Sequence, residues 1–326
     1  MGHSQLDIPA TAFSISFGLA GLTSVWRVAA DDFAAPDVLP GLLALLTLAV
    51  WLVLVTLYAR RLISRKTSLT AELTHPVTAP FLALIPVTLV VLAPEVHHWS
   101  VPASLVLTVV GAATALLLGA WLTGRWVGHG VPERALNSAY YLPTVAAGLI
   151  TATALGALGY PELALMAFGL GGIAWLLLGS IINNRNFVVE SLPPALVPTL
   201  AIDVAPSVVA GNAWFVMNGG VTDSIQYVLA GFAVLMVLVQ VRLLSLYRSL
   251  RFSAGFWAFT FSYCAAVAYG LRWLHTTDAA WATWLAWTLI AAVTLFLVGI
   301  AVRSIAALRS GELFGPDPTP SVAPAS

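Results

Sequence analysis

Ala135-Leu-Asn-Ser-Ala-Tyr-Tyr-Leu-Pro-Thr-Val-Ala-Ala-Gly-Leu-Ile-Thr-Ala-Thr-Ala-Leu-Gly-Ala-Leu-Gly-Tyr-Pro161 carries no charged side chain from end to end. About 17–25 apolar residues suffice for a helix to cross the hydrocarbon of a bilayer, so this run reads as a transmembrane helix with a proline inside it. The rest of the chain is punctuated in the same way. Uncharged intervals run 8–26, 38–59, 73–94, 96–124, 135–161, 163–184, 204–222, 224–241, 252–271 and 279–302, and even the shortest, 224–241, holds 18 residues. In the seventh, Asp203 interrupts an apolar stretch that runs from Ser191 to Thr222. Ten membrane-spanning helices are predicted. Runs such as Leu42-Leu-Ala-Leu-Leu46 lack the period-2 alternation of membrane barrel strands.

The composition agrees. The 326 residues are 60% apolar and 9% charged, where soluble domains average about 25% charged. Such a chain is not a disordered segment, a collagen-like fibre, a disulfide scaffold or a nucleic-acid-binding protein. Cys264, the single cysteine, permits no internal disulfide. The partner implied first is the lipid bilayer.

Basic residues fall on one set of helix ends: Arg60, Arg61, Arg65, Lys66, Arg125, Arg134, Arg185, Arg242, Arg248, Arg251, Arg303 and Arg309, twelve of the fourteen. Only Arg27 and Arg272 lie at the other, with Asp31, Asp32, Asp37, Glu95, Glu162, Asp223 and Asp278. The positive-inside rule makes the first set cytoplasmic, and an even number of spans puts both termini there. Met1 to Asp7 has no basic n-region, so the first span is expected to be its own insertion signal. The expected organisation is a short cytoplasmic N-terminus (1–8), a ten-helix membrane domain (9–305) and a Pro-rich, disordered cytoplasmic tail (306–326).

The odd-numbered spans share a disruption. Leu84-Ile-Pro86-Val87, Tyr141-Leu-Pro143-Thr144 and Val204-Ala-Pro206-Ser207 place prolines 57 and 63 residues apart; 68 residues before Pro86 lies Gly18, and 55 after Pro206 lies Phe261. Proline removes a backbone hydrogen bond from a helix. Disrupted backbone at membrane depth is tolerated where protein buries it or it lines a watery cavity. Five hairpins are therefore expected, with Gly18, Pro86, Pro143 and Pro206 as kinks on odd helices around a common axis. Even helices, such as the Leu/Val-rich second span with Trp51, face lipid.

Phe13-Ser-Ile-Ser-Phe-Gly-Leu-Ala-Gly-Leu22, His75-Pro-Val77 with Ala83-Leu-Ile-Pro-Val87, Tyr141-Leu-Pro-Thr-Val-Ala-Ala147 and Gly255-Phe-Trp-Ala-Phe-Thr-Phe261 together resemble the tellurite-resistance/dicarboxylate transporter family. That family holds bacterial TehA, fungal malate permeases and plant slow anion channels. The resemblance covers roughly residues 9–305. It implies an all-helical polytopic fold of five hairpins with quasi-five-fold symmetry around a central pore, assembled as a homotrimer in the inner membrane. It also implies a phenylalanine gate, carried over to Phe261 from the family stretch Trp-Ala-Phe-Ser-Phe, which reads Trp257-Ala-Phe-Thr-Phe261 here. Two departures flank the gate. Ser14 stands where members often carry glycine in the first span, and Ser262 stands where a glycine often follows the phenylalanine. Each serine either alters how the ring is held or bonds back to its own helix.

With few basic residues at mid-membrane depth, anion preference is expected from donors freed at kinks, from hydroxyls such as Thr88, Thr144 and Ser207, and from the positive mouth. Asp203, an acid inside the membrane, is either a structural partner for Arg185 or Arg242 or a proton-linked group. His97-His98 reads as a solvated interface pair, not a metal site, and no cofactor is implied. No His-Glu-x-x-His, P-loop or Gly-x-Ser-x-Gly pattern of an enzyme occurs. The expectation is an anion channel that passes small anions (chloride, nitrate, oxyanions or dicarboxylates) passively. The alternative is a secondary transporter for dicarboxylates or oxyanions such as malate or tellurite, with proton coupling through Asp203.

Overall fold

A computed structural model describes residues 8–64 and 67–314. Within them the chain is all helical, and ten helices are long and apolar enough to cross a membrane: Ala10–Phe33, Val38–Ile63, Ala79–His97, Val101–His129, Ser138–Ala157, Pro161–Val188, Val197–Met217, Ser224–Arg248, Ala254–His275 and Ala280–Ser310, called spans 1 to 10 in that order. Most spans run a turn or so past the charge that bounds their apolar interval, because a long basic side chain can lie along the helix and keep its charged head at the interface. Span 7 starts at Val197 and so takes in Asp203. Span 10 continues to Ser310, five residues past 305, and stops where Gly311 adopts a left-handed conformation with φ 78°. Residues 1–7, Arg65, Lys66 and the tail from Gly315 lie outside the described residues.

Burial separates the spans into two populations. The odd spans bury 61–78% of their most apolar window inside the protein, the even ones 11–28%. Span 1 packs on spans 3 and 9, span 5 on spans 3 and 7, and span 7 on span 9, so the inner helices touch in a closed ring. Each even span packs on the odd span preceding it.

Every inner span begins as a 3-10 helix and then widens. Ala10–Ala12 leads into an α-helix at Phe13, Ala79–Ala83 at Leu84, Val197–Val204 at Ala205 and Ala254–Phe256 at Trp257. In span 5 the 3-10 turn Ser138–Tyr141 passes through a π-helical segment, Leu142–Ala146, before the α-helix from Ala147. Pro86, Pro143 and Pro206 sit in the first turn after these changes, where a missing N–H costs least. Gly18 lies five residues into its α-helix. A Cβ there would stand 1.9 Å from Thr260 Oγ1, so this glycine serves the close approach of spans 1 and 9, not a bend.

Outer helices supply hydrogen bonds to inner carbonyls. Trp51 Nε1 donates to the Ile85 carbonyl at 2.9 Å, Ser104 Oγ to that of Ala93 at 2.6 Å, Gln226 Nε2 to that of Gly211 at 3.0 Å and Gln240 Nε2 to that of Leu200 at 3.0 Å. The amide oxygens of the glutamines accept in turn from Tyr269 and from Tyr247 and Tyr263. At the start of span 8, outside the membrane, Asp223 accepts from the Gln226 backbone N–H and the Trp214 indole, and these donors hold its carboxyl below the usual carboxylate range. A depressed carboxyl contributes stability above its unfolded value that is lost as pH falls through the folded one.

Spans 5 and 6 meet backbone to backbone. A Cβ on Gly148 would lie 2.6 Å from the Gly171 nitrogen, and one on Gly171 2.7 Å from that of Leu149. Gly171→Leu is expected to force the helices apart, at a cost of about 1–3 kcal/mol for overpacking, and more if the backbones do not yield. Thermal unfolding in detergent will show a lowered midpoint relative to Gly172→Leu, whose Cβ meets nothing within 4 Å.

Candidate functional site

Two cavities lie within the inner ring, and each is lined by all five inner spans and by none of the outer ones. The larger, about 370 Å³, opens among Arg27, Asp31, Glu95, His97 and Arg272 at the acidic end of the helices, and narrows past Thr153, Asn212 and Ala265. The smaller, about 30 Å³, lies deeper, at the changes of helix type around Ser14, Leu84, Leu142, Ala205 and Trp257. About 10–15 Å³ is needed to hold one water, so the small cavity has room for a couple and for no hydrated ion. Only Val209 and Phe261 line both cavities.

Phe261 is held by two neighbours on span 1. Its ring stacks on Phe17 with centroids 3.7 Å apart and planes 17° off parallel. Gly21 makes room for it, since a Cβ there would sit 3.1 Å from Phe261 Cδ2. Phe17 and Gly21 were not singled out by sequence reasoning; their spacing from Gly18 is the signal that could have found them. Phe259 packs instead on Tyr247, Phe256 and Tyr263, away from both cavities.

The other sequence-predicted residues fall in several places. Ser14 and Ser262 line the small cavity, yet both donate back along their own helices, Ser14 to the Thr11 carbonyl and Ser262 to that of Ala258 at 3.4 Å. Of the kink residues, Pro206 lines the small cavity, while Gly18 and Pro86 line neither. Thr88 and Ser207 also line neither, being buried with their hydroxyls bonded to the carbonyls of Leu84 and Val204. Pro143 and Thr144 face a lateral, mostly apolar groove of about 510 Å³ bounded by spans 4 and 6. The hydroxyls that do line the large cavity are Thr23, Ser24 and Thr153.

Asp203 lines neither cavity. Its carboxyl is buried beside the Ser138 hydroxyl. Among the described residues it forms no ion pair with Arg185 or Arg242.

Arg27 and Arg272, placed by sequence at the mouth, both turn inward onto the large cavity. Arg27 commits four of its five donors: Nε to Glu95 at 2.8 Å, Nη2 to Glu95 at 3.3 Å, and Nη1 to Asp31 and Asp37 at 3.1 and 3.3 Å. Glu95 is 3% exposed, so the pair ties span 1 to span 3 inside the protein. Among the described residues no cluster of His, Cys, Asp and Glu could hold a metal ion.

A family model described as SLAC1, voltage-dependent anion channel, matches residues 7–305. The chain is 29% identical over 255 residues to the tellurite resistance protein TehA homolog of Haemophilus influenzae, covering 78% of this chain and 77% of that one. It is 23% identical over 321 residues to the S-type anion channel SLAH3 of Arabidopsis thaliana, covering 92% of this chain and 48% of that one.

Removing one partner of a buried ion pair costs about 3–5 kcal/mol, because the other charge is left without compensation. Arg27→Met is therefore expected to lower the thermal midpoint sharply, and Arg27→Met with Glu95→Leu to recover most of the loss. Equal midpoints for the single and double variants would show that the pair carries no such role.

Proposed function

The chain belongs to the voltage-dependent anion channel family, and from that premise we propose that it passes small anions passively along the axis of its inner ring, with Phe261 as the gate. One observation carries this reading: a ring from span 9 stands where a wide polar-mouthed cavity meets a narrow, nearly dry one. A hydrophobic constriction of this kind blocks ions sterically and by dewetting. In the proposed channel the five hairpins are related by quasi-five-fold symmetry, and the conformation described is closed. Both termini and the basic helix ends are cytoplasmic, on the strength of the charge asymmetry. Assembly as a homotrimer in the inner membrane rests on the resemblance of the motifs alone. The cargo is a small anion such as chloride or nitrate.

Proton-coupled carriage of dicarboxylates through Asp203 has less support. A coupling acid exchanges protons with the substrate path, and Asp203 reaches neither cavity. The serines beside the gate do not clamp the ring, since their protons are committed to their own helices.

Phe261→Ala is expected to join the two cavities and raise anion conductance by about tenfold or more, the change that ~1.4 kcal/mol off the barrier produces. Planar-bilayer recordings of purified protein with anions exchanged one at a time check it. Unchanged current at equal reconstitution would sink the assignment. Asp203→Asn should leave that current independent of a pH gradient.

A further inference from the structure

We propose that Arg272 is a docking site for a small anion in the wide cavity, positioned by Asn212. This deepens the channel reading and rests on it. A guanidinium has five N–H donors. Arg27 spends four hydrogen bonds on Glu95, Asp31 and Asp37. Arg272 makes one, from Nε to Asn212 Oδ1 at 3.3 Å. Among the described residues no carboxylate lies within salt-bridge distance of it; Asp32, the acid nearest in electrostatic terms, is placed against His275 at 4.0 Å. Its terminal nitrogens thus remain uncommitted in a side chain that lines the cavity on the same helix as the gate, eleven residues beyond Phe261 (272−261).

Asn212 fixes the direction of that guanidinium. Its Nδ2 donates to the Val208 carbonyl at 2.9 Å and, across to span 9, to that of Ala265 at 3.0 Å. With both amide hydrogens placed, Oδ1 can only face Arg272, which holds Nε and leaves the terminal fork toward the cavity. The cavity hydroxyls do not compete as donors. Thr23, Ser24 and Thr153 give their protons to the carbonyls of Leu19, Ala20 and Leu149. Of the carboxylates, Asp31 and Glu95 line the cavity, and both are bound to Arg27.

The test combines diffraction with recording. Crystals of the full protein soaked in bromide should show an anomalous peak beside the terminal nitrogens of Arg272, absent in Arg272→Gln and weakened in Arg272→Lys. In bilayers, adding Arg272→Gln to Phe261→Ala should raise the half-saturating chloride concentration about tenfold, as ~1.4 kcal/mol of lost attraction predicts. No bromide at Arg272, or a peak that persists in Arg272→Gln, overturns the site even where Phe261→Ala conducts. A peak at Arg272 with no anion current through Phe261→Ala upholds the site and rejects the channel. Elution of Arg272→Gln at the wild-type position on size exclusion confirms that its loss of bromide is local.

Discussion

A backbone carbonyl without a hydrogen bond costs several kcal/mol in hydrocarbon, and this chain changes helix type five times at membrane depth. That constraint governs the outer helices as much as the inner ones. Gln226 and Gln240 sit on span 8, the most lipid-facing helix, yet are 0% and 6% exposed, because each turns inward to an inner carbonyl. Trp51 does the same for Ile85. Spans 2, 4 and 8 are thus hydrogen-bonding partners for inner carbonyls as well as walls against lipid.

Those changes of helix type also decide where the proposed gate can stand. The small cavity lies at the level where the 3-10 turns give way to α-helix, and Phe261 is just past that level. Stacking on Phe17 is worth about 0.5–1.5 kcal/mol beyond the buried area. That is enough to favour one ring position and small enough to be reversed by a modest rearrangement of spans 1 and 9. Gly18 and Gly21 hold those spans so close that such a rearrangement must move both helices, since neither site has slack for a side chain.

Much of this was legible in the sequence. Ten uncharged intervals gave ten spans, and Pro86, Pro143 and Pro206 mark three of the five buried ones. What escaped has common physical causes. Periodicity says that a residue is helical, not which neighbour it faces; Thr88, Thr144 and Ser207 follow the prolines yet point to their own helix or a lateral groove. The partner of a buried acid is equally invisible, and Asp203 has Ser138 beside it where a basic residue was the expectation. Position also misled for two arginines. Arg27 and Arg272 read as charges at the acidic helix ends, yet both line the large cavity, and position along a helix does not tell which way a long side chain turns.

The two arginines show that charge counting does not describe a permeation path. An acid-rich rim at the mouth of an anion pathway looks repulsive until its partners are resolved. Asp31, Asp37 and Glu95 converge on Arg27, and at 2.8–3.3 Å each is opposed by a cation far closer than any passing ion. Coulomb energy falls with distance, and the effective dielectric of the mouth is nearer that of water than of the core. The residual field of such a cluster is therefore weak a few ångströms away. A guanidinium with one acceptor instead of three acts over the same distance with little opposition. In the proposed channel the number of acceptors on each arginine, more than the arginines' number or depth, sets what an ion meets above the Phe261 ring.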